Sequence, residues 1–254
     1  MLNQQVDIMK NLLLALSLML SPIAVLAEAL PFESDLDGLL KDHVKPVNRN
    51  GIDYNGVNYA AWGEDPRHPE VRDAILATDP ASLSSREEKL AYWINTYNVL
   101  TIDLITRSGE EESIKNLGNL LNSAWDKHTW NIAGEAHSLN NIEHDIIRSM
   151  NEPRIHFAVN CAAKSCPDLR AEAYSADKLE AQLEEQTTLT LGNASKGYMV
   201  EKDNSVRVTK IMDWYAEDFN QNDLKLWLET YRPDDIDADT KIRFFNYDWS
   251  LNNQ

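Results

Sequence analysis

The strongest periodic pattern of hydrophobic residues lies between residues 84 and 107. Apolar side chains recur there at helical spacing, at Leu90, Trp93, Ile94, Tyr97, Leu104 and Ile105. Ser84 and Ser85 are each followed three residues later by a glutamate, which is typical of a capping box at a helix start. Because Val99 and Leu100 put apolar side chains on the other sides of this helix, we expect it to be central and buried.

Shorter elements are predicted around this central helix. The helical segments are 33–47, 69–77, 139–150 and 175–191, with further helices starting at Thr209 and Asn222. Local patterns also predict hairpins around Ala133-Gly134 and Asp203-Asn204, strands at 154–160 and 241–249, and a loop at 48–58. Since helices come first and short strands mostly later, we predict one α+β domain over 28–254, its central buried helix packed against short, mainly antiparallel strands.

The N-terminal segment has the parts of a secretory signal peptide. Lys10 precedes the apolar run 12–20, and small residues lead to a cleavage site after Ala27. The run is too short for a membrane span, which needs about 20 apolar residues, and Pro22 interrupts it. We therefore predict that residues 1–27 are removed, and that the protein is periplasmic or secreted with no stable membrane anchor afterwards.

Composition and charge narrow the range of partners. The chain has 254 residues, and 24 Lys+Arg against 41 Asp+Glu give a net charge of −17. A surface this acidic repels phosphate backbones and anionic lipids, so we expect no nucleic-acid partner. The glycine-rich phosphate-binding motifs are absent from the sequence, and no cofactor is predicted. The expected partner is an unidentified small molecule or peptide.

Two asparagines on the central helix break its apolar pattern. At about 100° per residue, Asn95 and Asn98 fall about 60° apart on one stripe of the helix. A buried amide needs hydrogen-bond partners. These side chains therefore either hold the backbone of a neighbouring loop or contribute to a binding site.

A carboxylate interrupts the apolar face of the predicted 139–150 helix. Glu143 lies among isoleucines on that face, so it must be paired or kept protonated. One interpretation is a structural ion pair with a buried arginine, Arg148 or Arg154. The other makes Glu143 the orienting group or proton acceptor of an active-site histidine, with His144 about a quarter turn away.

The predicted strand at 154–160 carries a further histidine. His156 and Asn160 share one face of this strand, with the small Ala158 between them. This spacing leaves room for a ligand to approach the strand. We expect a polar cleft between the strand and the helix that carries Asn95.

Both cysteines of the chain lie in the loop that follows this strand. Because Pro167 comes directly after Cys166, we expect this thiol at a helix N-cap, where the helix dipole and Lys164 lower the pKa of a thiol towards a reactive thiolate. Three readings stay open: a Cys161–Cys166 disulfide in an oxidising compartment, two inert buried thiols, or a nucleophile or ligand.

Several segments together resemble the domain of unknown function 547 family. The matching segments are 92–98, 138–144, 154–161, 165–170, 210–219 and 247–252, in the same order as in the family. The resemblance covers roughly residues 40–252. It implies an exported, mostly bacterial domain with a centre of Asn, Glu-His, His and Cys residues, and it implies no established reaction. His137 and Lys164 stand where the family is expected to vary, so neither is a site candidate.

The first functional hypothesis is a thiol-dependent hydrolase or acyltransferase. Cys166 or Cys161 is the nucleophile, His156 or His144 the base, and Glu143 or an asparagine the orienting group. Other residues are candidates for binding the ligand or shaping the site: Asn95, Asn98, Arg154, Asn160, Ser165 and Arg170. A papain-like or transglutaminase-like arrangement is conceivable by analogy alone.

Two alternatives involve no thiol chemistry. The protein is then a non-catalytic periplasmic domain that binds a small ligand or a partner, or it has a metal site built from His144, His156 and Glu143, with or without one cysteine. The sequence contains neither HExxH nor paired CxxC motifs, so it gives little support for zinc, and no metal ligands are predicted.

Overall fold

The computed structural model describes residues 29–220 and 223–254, so the predicted signal peptide lies outside the described residues. The α-helices are α1 Glu33–His43, α2 Tyr59–Glu64, α3 Arg67–Ala77, α4 Arg86–Ser108, α5 Ala124–Lys127, α6 Leu179–Gly192, α7 Ile211–Trp214 and α8 Leu224–Tyr231. The strands are β1 Val44–Arg49, β2 Ile52–Val57, β3 Thr129–Ile132, β4 Glu135–Ser138, β5 Tyr198–Glu201, β6 Ser205–Val208 and β7 Lys241–Phe244. Short sheets among helices confirm the predicted α+β class.

Strand pairing follows local hairpins, with one long-range addition. β1 pairs with β2, β3 with β4, and β5 with β6, all antiparallel, while β7 joins β6 in parallel. The predicted hairpins around Ala133-Gly134 and Asp203-Asn204 are therefore confirmed. Among the described residues, no helix is both long and apolar enough to cross a membrane.

Helix α4 is the centre of the main hydrophobic core, as its pattern predicts. Ser85 caps it: its hydroxyl accepts the Glu88 N–H at 3.0 Å, and the Glu88 carboxylate accepts the Ser85 N–H at 2.9 Å. Every residue from Leu90 to Ile105 is buried. Gly109 caps the end of the helix directly after Ser108, and its φ of +66° is the left-handed conformation that glycine adopts without strain.

The segment 33–58 differs from its prediction. The helix predicted to reach residue 47 ends at His43, and β1 and β2 occupy most of the segment predicted as a loop. Asn50 and Gly51, with φ of +56° and +79°, form the tight turn of a hairpin. An Asn-Gly pair between short apolar runs is a strong hairpin signal, and here it outweighs the helical spacing that precedes it.

The segment predicted as a strand at 154–160 is instead a 3₁₀ helix, Pro153–Phe157, followed by a turn. Pro153 stands at its first position, and the Glu152 side chain accepts the Arg154 N–H at 3.2 Å. The segment packs on two sides, because Ile155 belongs to the core around α4 while Phe157 belongs to a second core beneath the β5–β6–β7 sheet. Burial on both sides produced an alternating pattern without a strand.

The two helix asparagines hold neighbouring backbone. Asn95 donates to the Tyr174 carbonyl at 2.7 Å and accepts the Tyr174 N–H at 2.9 Å. Asn98 donates to the Ala158 carbonyl at 3.0 Å and accepts the Asn160 N–H at 2.8 Å. Each asparagine amide therefore bonds to backbone N–H and C=O groups that have no neighbouring strand to bond to. The bonds from Asn98 fix the chain just before Cys161.

We expect Asn98→Ala to lower the free energy of unfolding by about 2–4 kcal/mol, because it removes two buried hydrogen bonds and leaves their backbone partners unsatisfied. Asn116 is an exposed asparagine of the 3₁₀ turn Ile114–Leu117, so Asn116→Ala should cost about 0.5 kcal/mol or less. Urea unfolding of both variants measures the difference. Equal losses of unfolding free energy in the two variants would show that the Asn98 hydrogen bonds do not stabilise the fold.

Candidate active site

A network of asparagine amides shapes the loop that holds both cysteines. The Asn160 side chain accepts the Ala162 N–H at 3.0 Å and donates to the Pro167 carbonyl at 2.8 Å. The Asn252 amide donates to Asn160 at 3.3 Å. Ala162 has a φ of +60°, a strained conformation for a residue with a side chain. The chain therefore turns sharply after Cys161.

The segment 247–252 lies alongside this loop and completes it. The Lys164 N–H donates to the Ser250 carbonyl at 2.9 Å, and the Asp248 N–H donates to the Ser165 hydroxyl at 2.9 Å. Ser165 is thus bonded to the backbone of the closing segment. The cysteine loop is held between helix α4 on one side and this segment on the other.

The resulting turn brings the two thiols together. The sulfurs of Cys161 and Cys166 lie 2.8 Å apart, and both cysteines are free. The Cys161 N–H also donates to the Cys166 sulfur at 3.0 Å, and the Tyr247 hydroxyl lies 3.0 Å from the Cys161 sulfur. Cys166 is buried and Cys161 is half-buried. The described structure therefore has a dithiol, without the disulfide that was one open reading.

The two thiols differ in acidity. Burial raises the pKa of Cys166, but the hydrogen bonds from the Cys161 thiol and N–H, together with the charge of Lys196, outweigh burial and bring this pKa below its usual value. Burial and its bond to Cys166 raise the pKa of Cys161 well above the usual value. Cys166 is therefore the thiol that is more readily ionised, with Cys161 as a neutral donor.

The cause of this low pKa differs from the one expected. No helix starts at Cys166, because the chain has no regular secondary structure between it and the start of α6 at Leu179, so the predicted helix dipole does not act there. The nearby cation is Lys196, whose ammonium donates to the Cys166 carbonyl at 2.7 Å and to the Asp168 carboxylate at 2.6 Å.

His156 is buried and oriented by a carboxylate. Its Nε2 lies 2.7 Å from an oxygen of Asp218, and its ring stacks on Tyr215 with centroids 4.0 Å apart. Its Nδ1 has no hydrogen-bond partner among the described residues. Although burial raises it, hydrogen bonds from His156 and Arg148 bring the pKa of Asp218 well below its usual range. Asp218 is therefore a stable anion that holds the imidazole.

Glu143 is buried, at 7% exposure, but its partner is not the predicted arginine. The Tyr215 hydroxyl donates to Glu143 Oε1 at 2.7 Å. Arg148 is bonded to Asp218, at 2.7 Å, and to the exposed Glu217. Arg154 is bonded to other glutamates. Glu143 lies in a π-helix, Asn141–Ile147, which gives this part of the chain a wider turn than the predicted α-helix.

The thiols, both histidines and Glu143 line one cavity of about 430 Å³. Aromatic rings form most of its remaining wall: Tyr97, Trp125, Trp214, Tyr215, Tyr247 and Trp249. The cavity lies where the core around α4 meets α7 and the closing segment. Among residues 29–220 and 223–254, no group of three or more His, Cys, Asp or Glu side chains is arranged to hold a metal ion.

The predicted site residues fall into three groups. Five line the cavity: Glu143, His144, His156, Cys161 and Cys166. Four hold backbone or loops around it: Asn95, Asn98, Asn160 and Ser165. Two do not line the cavity and instead form ion pairs with glutamates, Arg154 with Glu152 and Glu180, and Arg170 with Glu172 and Glu185.

Sequence reasoning did not select four residues that contact the candidate groups. Asp218 and Tyr215 contact His156, Tyr247 contacts Cys161, and Lys196 neighbours Cys166. The first three stand in the segments 210–219 and 247–252, which carry the family resemblance, so a search for polar or aromatic residues within those segments would have found them. No sequence signal singles out Lys196.

Fold and site together define the class: an α+β protein with paired thiols and a carboxylate-bound histidine in the wall of one cavity. Residues 80–189 match the model of the family described as "Protein of unknown function, DUF547". The match confirms the expected resemblance and includes both cysteines, Glu143 and His156. Comparison with curated proteins and with solved structures gives no significant match.

The acidity of Cys166 can be read by alkylation of the reduced protein with iodoacetamide. We expect Cys166 to react at pH 6, where an ordinary thiol with a pKa of about 8.5 is almost entirely protonated, and Cys161 to react far more slowly. Cys161→Ala removes a donor to the Cys166 thiolate, so its labelling profile should move to higher pH, while Cys161→Ser keeps a donor and should move less. Peptide mass spectrometry assigns the labelled residue, and unchanged profiles in both variants would contradict the donor role.

The bond between Asp218 and His156 should give stability a defined pH dependence. Because the pKa of Asp218 is lower in the folded protein than in the unfolded chain, its carboxylate stabilises the fold above the unfolded pKa of about 3.9, and this contribution is lost as the pH falls further. Asp218→Asn should therefore lower Tm at pH 7, and the gap to the parent should narrow below about pH 4. Circular dichroism melting from pH 3 to 7 tests this, with the exposed Glu217→Gln as control. A gap independent of pH would contradict it.

Proposed function

We propose that this protein is a thiol-dependent hydrolase or acyltransferase in which Cys166 is the nucleophile. One observation carries the proposal: Cys166, the thiol with the lowered pKa, lines the same cavity as His156, an imidazole held by Asp218 and with a second nitrogen that has no partner in the described part of the chain. A nucleophile, a base and a group that orients the base are the parts that covalent acyl transfer needs.

Each residue then has a defined role. Cys166 attacks, and the Cys161 thiol and N–H stabilise its thiolate. His156 transfers protons through Nδ1, while Asp218 holds Nε2 and stabilises the imidazolium. The Tyr215 ring stacks on the imidazole with centroids 4.0 Å apart, and Glu143 fixes Tyr215 by accepting a hydrogen bond from its hydroxyl. Tyr215 and Glu143 are thus positioning residues.

The chemistry proceeds in two steps. The Cys166 thiolate attacks the carbonyl carbon of an acyl substrate, a thioester forms as the bond to the leaving alcohol or amine breaks, and the His156 imidazolium gives its proton to that leaving group. His156 then takes a proton from water as the water oxygen attacks the thioester, which releases the carboxylic acid and restores the thiolate. An amine in place of water completes an acyl transfer.

The aromatic wall supports an organic acyl substrate, since ligand cavities of a few hundred Å³ are mostly apolar with a small number of placed polar groups. We further propose that the protein acts outside the cytoplasm after removal of residues 1–27. The alternative is a domain that binds a ligand in the same cavity without turnover, and the experiment below separates the two.

Incubation with p-nitrophenyl butyrate under reducing conditions tests the nucleophile. We expect a burst of nitrophenolate equal to the enzyme concentration and one butyryl group on Cys166 by peptide mass spectrometry. Cys166→Ala should abolish the burst. His156→Gln should retain the burst but slow the steady release that follows it by about 10²–10⁴-fold, the usual contribution of a general base, because His156 takes the proton from the attacking water.

Cys161→Ser is the matched control, because it keeps a hydroxyl beside Cys166, and it should retain acylation at a reduced rate. Circular dichroism verifies that each variant is folded. Acylation that is unchanged in folded Cys166→Ala, or that occurs on surface lysines alone, would overturn the thiol proposal in favour of ligand binding without turnover.

A further inference from the structure

The cavity contains a carboxylate, Glu143, that no lysine or arginine of its described lining neutralises. Glu143 is the single carboxylate in its lining, and the lining includes no lysine or arginine among the described residues. Glu143 forms no ion pair with any described residue, and its one hydrogen bond comes from the neutral Tyr215 hydroxyl. A buried carboxylate without an opposite charge is strongly unfavourable. Apart from the two histidines, the described lining of the cavity therefore offers Glu143 no cationic side chain.

The protein places its own cations elsewhere. Arg148 is near Glu143 in the sequence, yet its guanidinium is held by Asp218 and Glu217. It lies over the Tyr215 ring at 5.2 Å from the centroid. Neither Arg148 nor Lys196 is in the cavity lining. A cationic ligand in the cavity would give Glu143 the opposite charge that no described lysine or arginine supplies.

The other walls of the cavity suit an organic cation. Trp214 stacks on Trp249 with centroids 5.6 Å apart, and Tyr247 lies 4.7 Å from Trp214 and 4.6 Å from Trp249. The faces of such rings attract ammonium groups. The Lys115 ammonium already lies 5.0 Å from the centroid of Trp249, so a ring of this cluster interacts with an ammonium within the protein itself.

We propose that this cavity binds a primary alkylammonium group, with the charge against Glu143 and the alkyl stem along the aromatic wall. A primary ammonium has three N–H donors, so it can hydrogen-bond the carboxylate as well as neutralise it. The net charge of −17 draws cations towards the protein. The role of this group in turnover, as part of an acyl donor or acceptor, rests on the proposed function, whereas its binding does not.

Titration of the full protein with n-butylammonium tests the subsite, with tryptophan fluorescence as the readout because Trp125, Trp214 and Trp249 line the cavity. We expect a saturable change, and n-butanol, which has the same stem without the charge, should bind at least about tenfold more weakly, as expected for loss of a desolvated cation–π and ionic contact. The titration is repeated in Cys166→Ser, where binding should persist. Failure of thiol chemistry and failure of this subsite are thereby distinguished.

Glu143→Gln keeps the shape of the side chain and removes its charge, so it should weaken n-butylammonium binding at least about tenfold and leave n-butanol unchanged. Glu135→Gln, on the exposed β4 hairpin, is the matched control and should bind like the parent. Trp214→Leu provides a second test if Glu143→Gln does not fold, because Trp214 is 44% exposed, and it should weaken binding as well.

A lysine side chain of a peptide and a free alkylamine present the same group. Nα-acetyl-lysine methylamide is therefore titrated beside n-butylammonium, and tighter binding of the lysine derivative assigns the peptide source, while tighter binding of n-butylammonium assigns the free amine. Either order supports the subsite. Equal affinity for n-butanol and n-butylammonium, no saturable signal, or undiminished binding by folded Glu143→Gln would overturn it.

Discussion

The geometry of the site depends on two hydrogen bonds from one side chain, the Asn98 amide. They hold the backbone at Ala158 and Asn160 against the most buried helix of the fold. Asn160 in turn fixes the turn between the cysteines through Ala162 and Pro167. Because this loop has no strand or helix of its own, amide side chains take the place of a regular hydrogen-bond ladder. The position of the thiols is thus fixed to helix α4 through two side chains, first Asn98 and then Asn160.

The second constraint is the distribution of charge around Tyr215. The sequence alone does not determine whether Arg148 pairs with Glu143 or with the acidic residues after α7. The backbone N–H of Arg148 donates to the Glu143 carbonyl at the end of the π-helix, while its guanidinium bonds to Asp218. The histidine thereby gains an ionised partner and the cavity keeps a carboxylate without a cation. One arginine thus decides the electrostatics of both groups.

Local signals predicted the parts of the fold that local interactions stabilise. The Ser85 capping box and the apolar stripe of α4 identify the central helix, and turn dipeptides identify two hairpins. The strand predicted at 154–160 was wrong, because a segment that packs against two cores shows the same alternation of apolar residues as a strand. Asp218 and Tyr247 stand 62 and 86 residues from the groups they contact, and no periodicity in a sequence reveals such distant pairs. The sequence therefore indicated the chemical groups of the site but not their partners.

The closing segment 247–252 also sets the order in which the site can be assembled. At about 5–20 residues per second of synthesis, roughly 4–17 s separate the addition of Cys161 from that of Tyr247. During this interval the thiol loop lacks the backbone partners that Asp248 and Ser250 later provide. The nascent chain thus carries two uncovered thiols, five residues apart, while much of the core around α4 is already available to fold. Completion of the dithiol site is therefore a late event in synthesis.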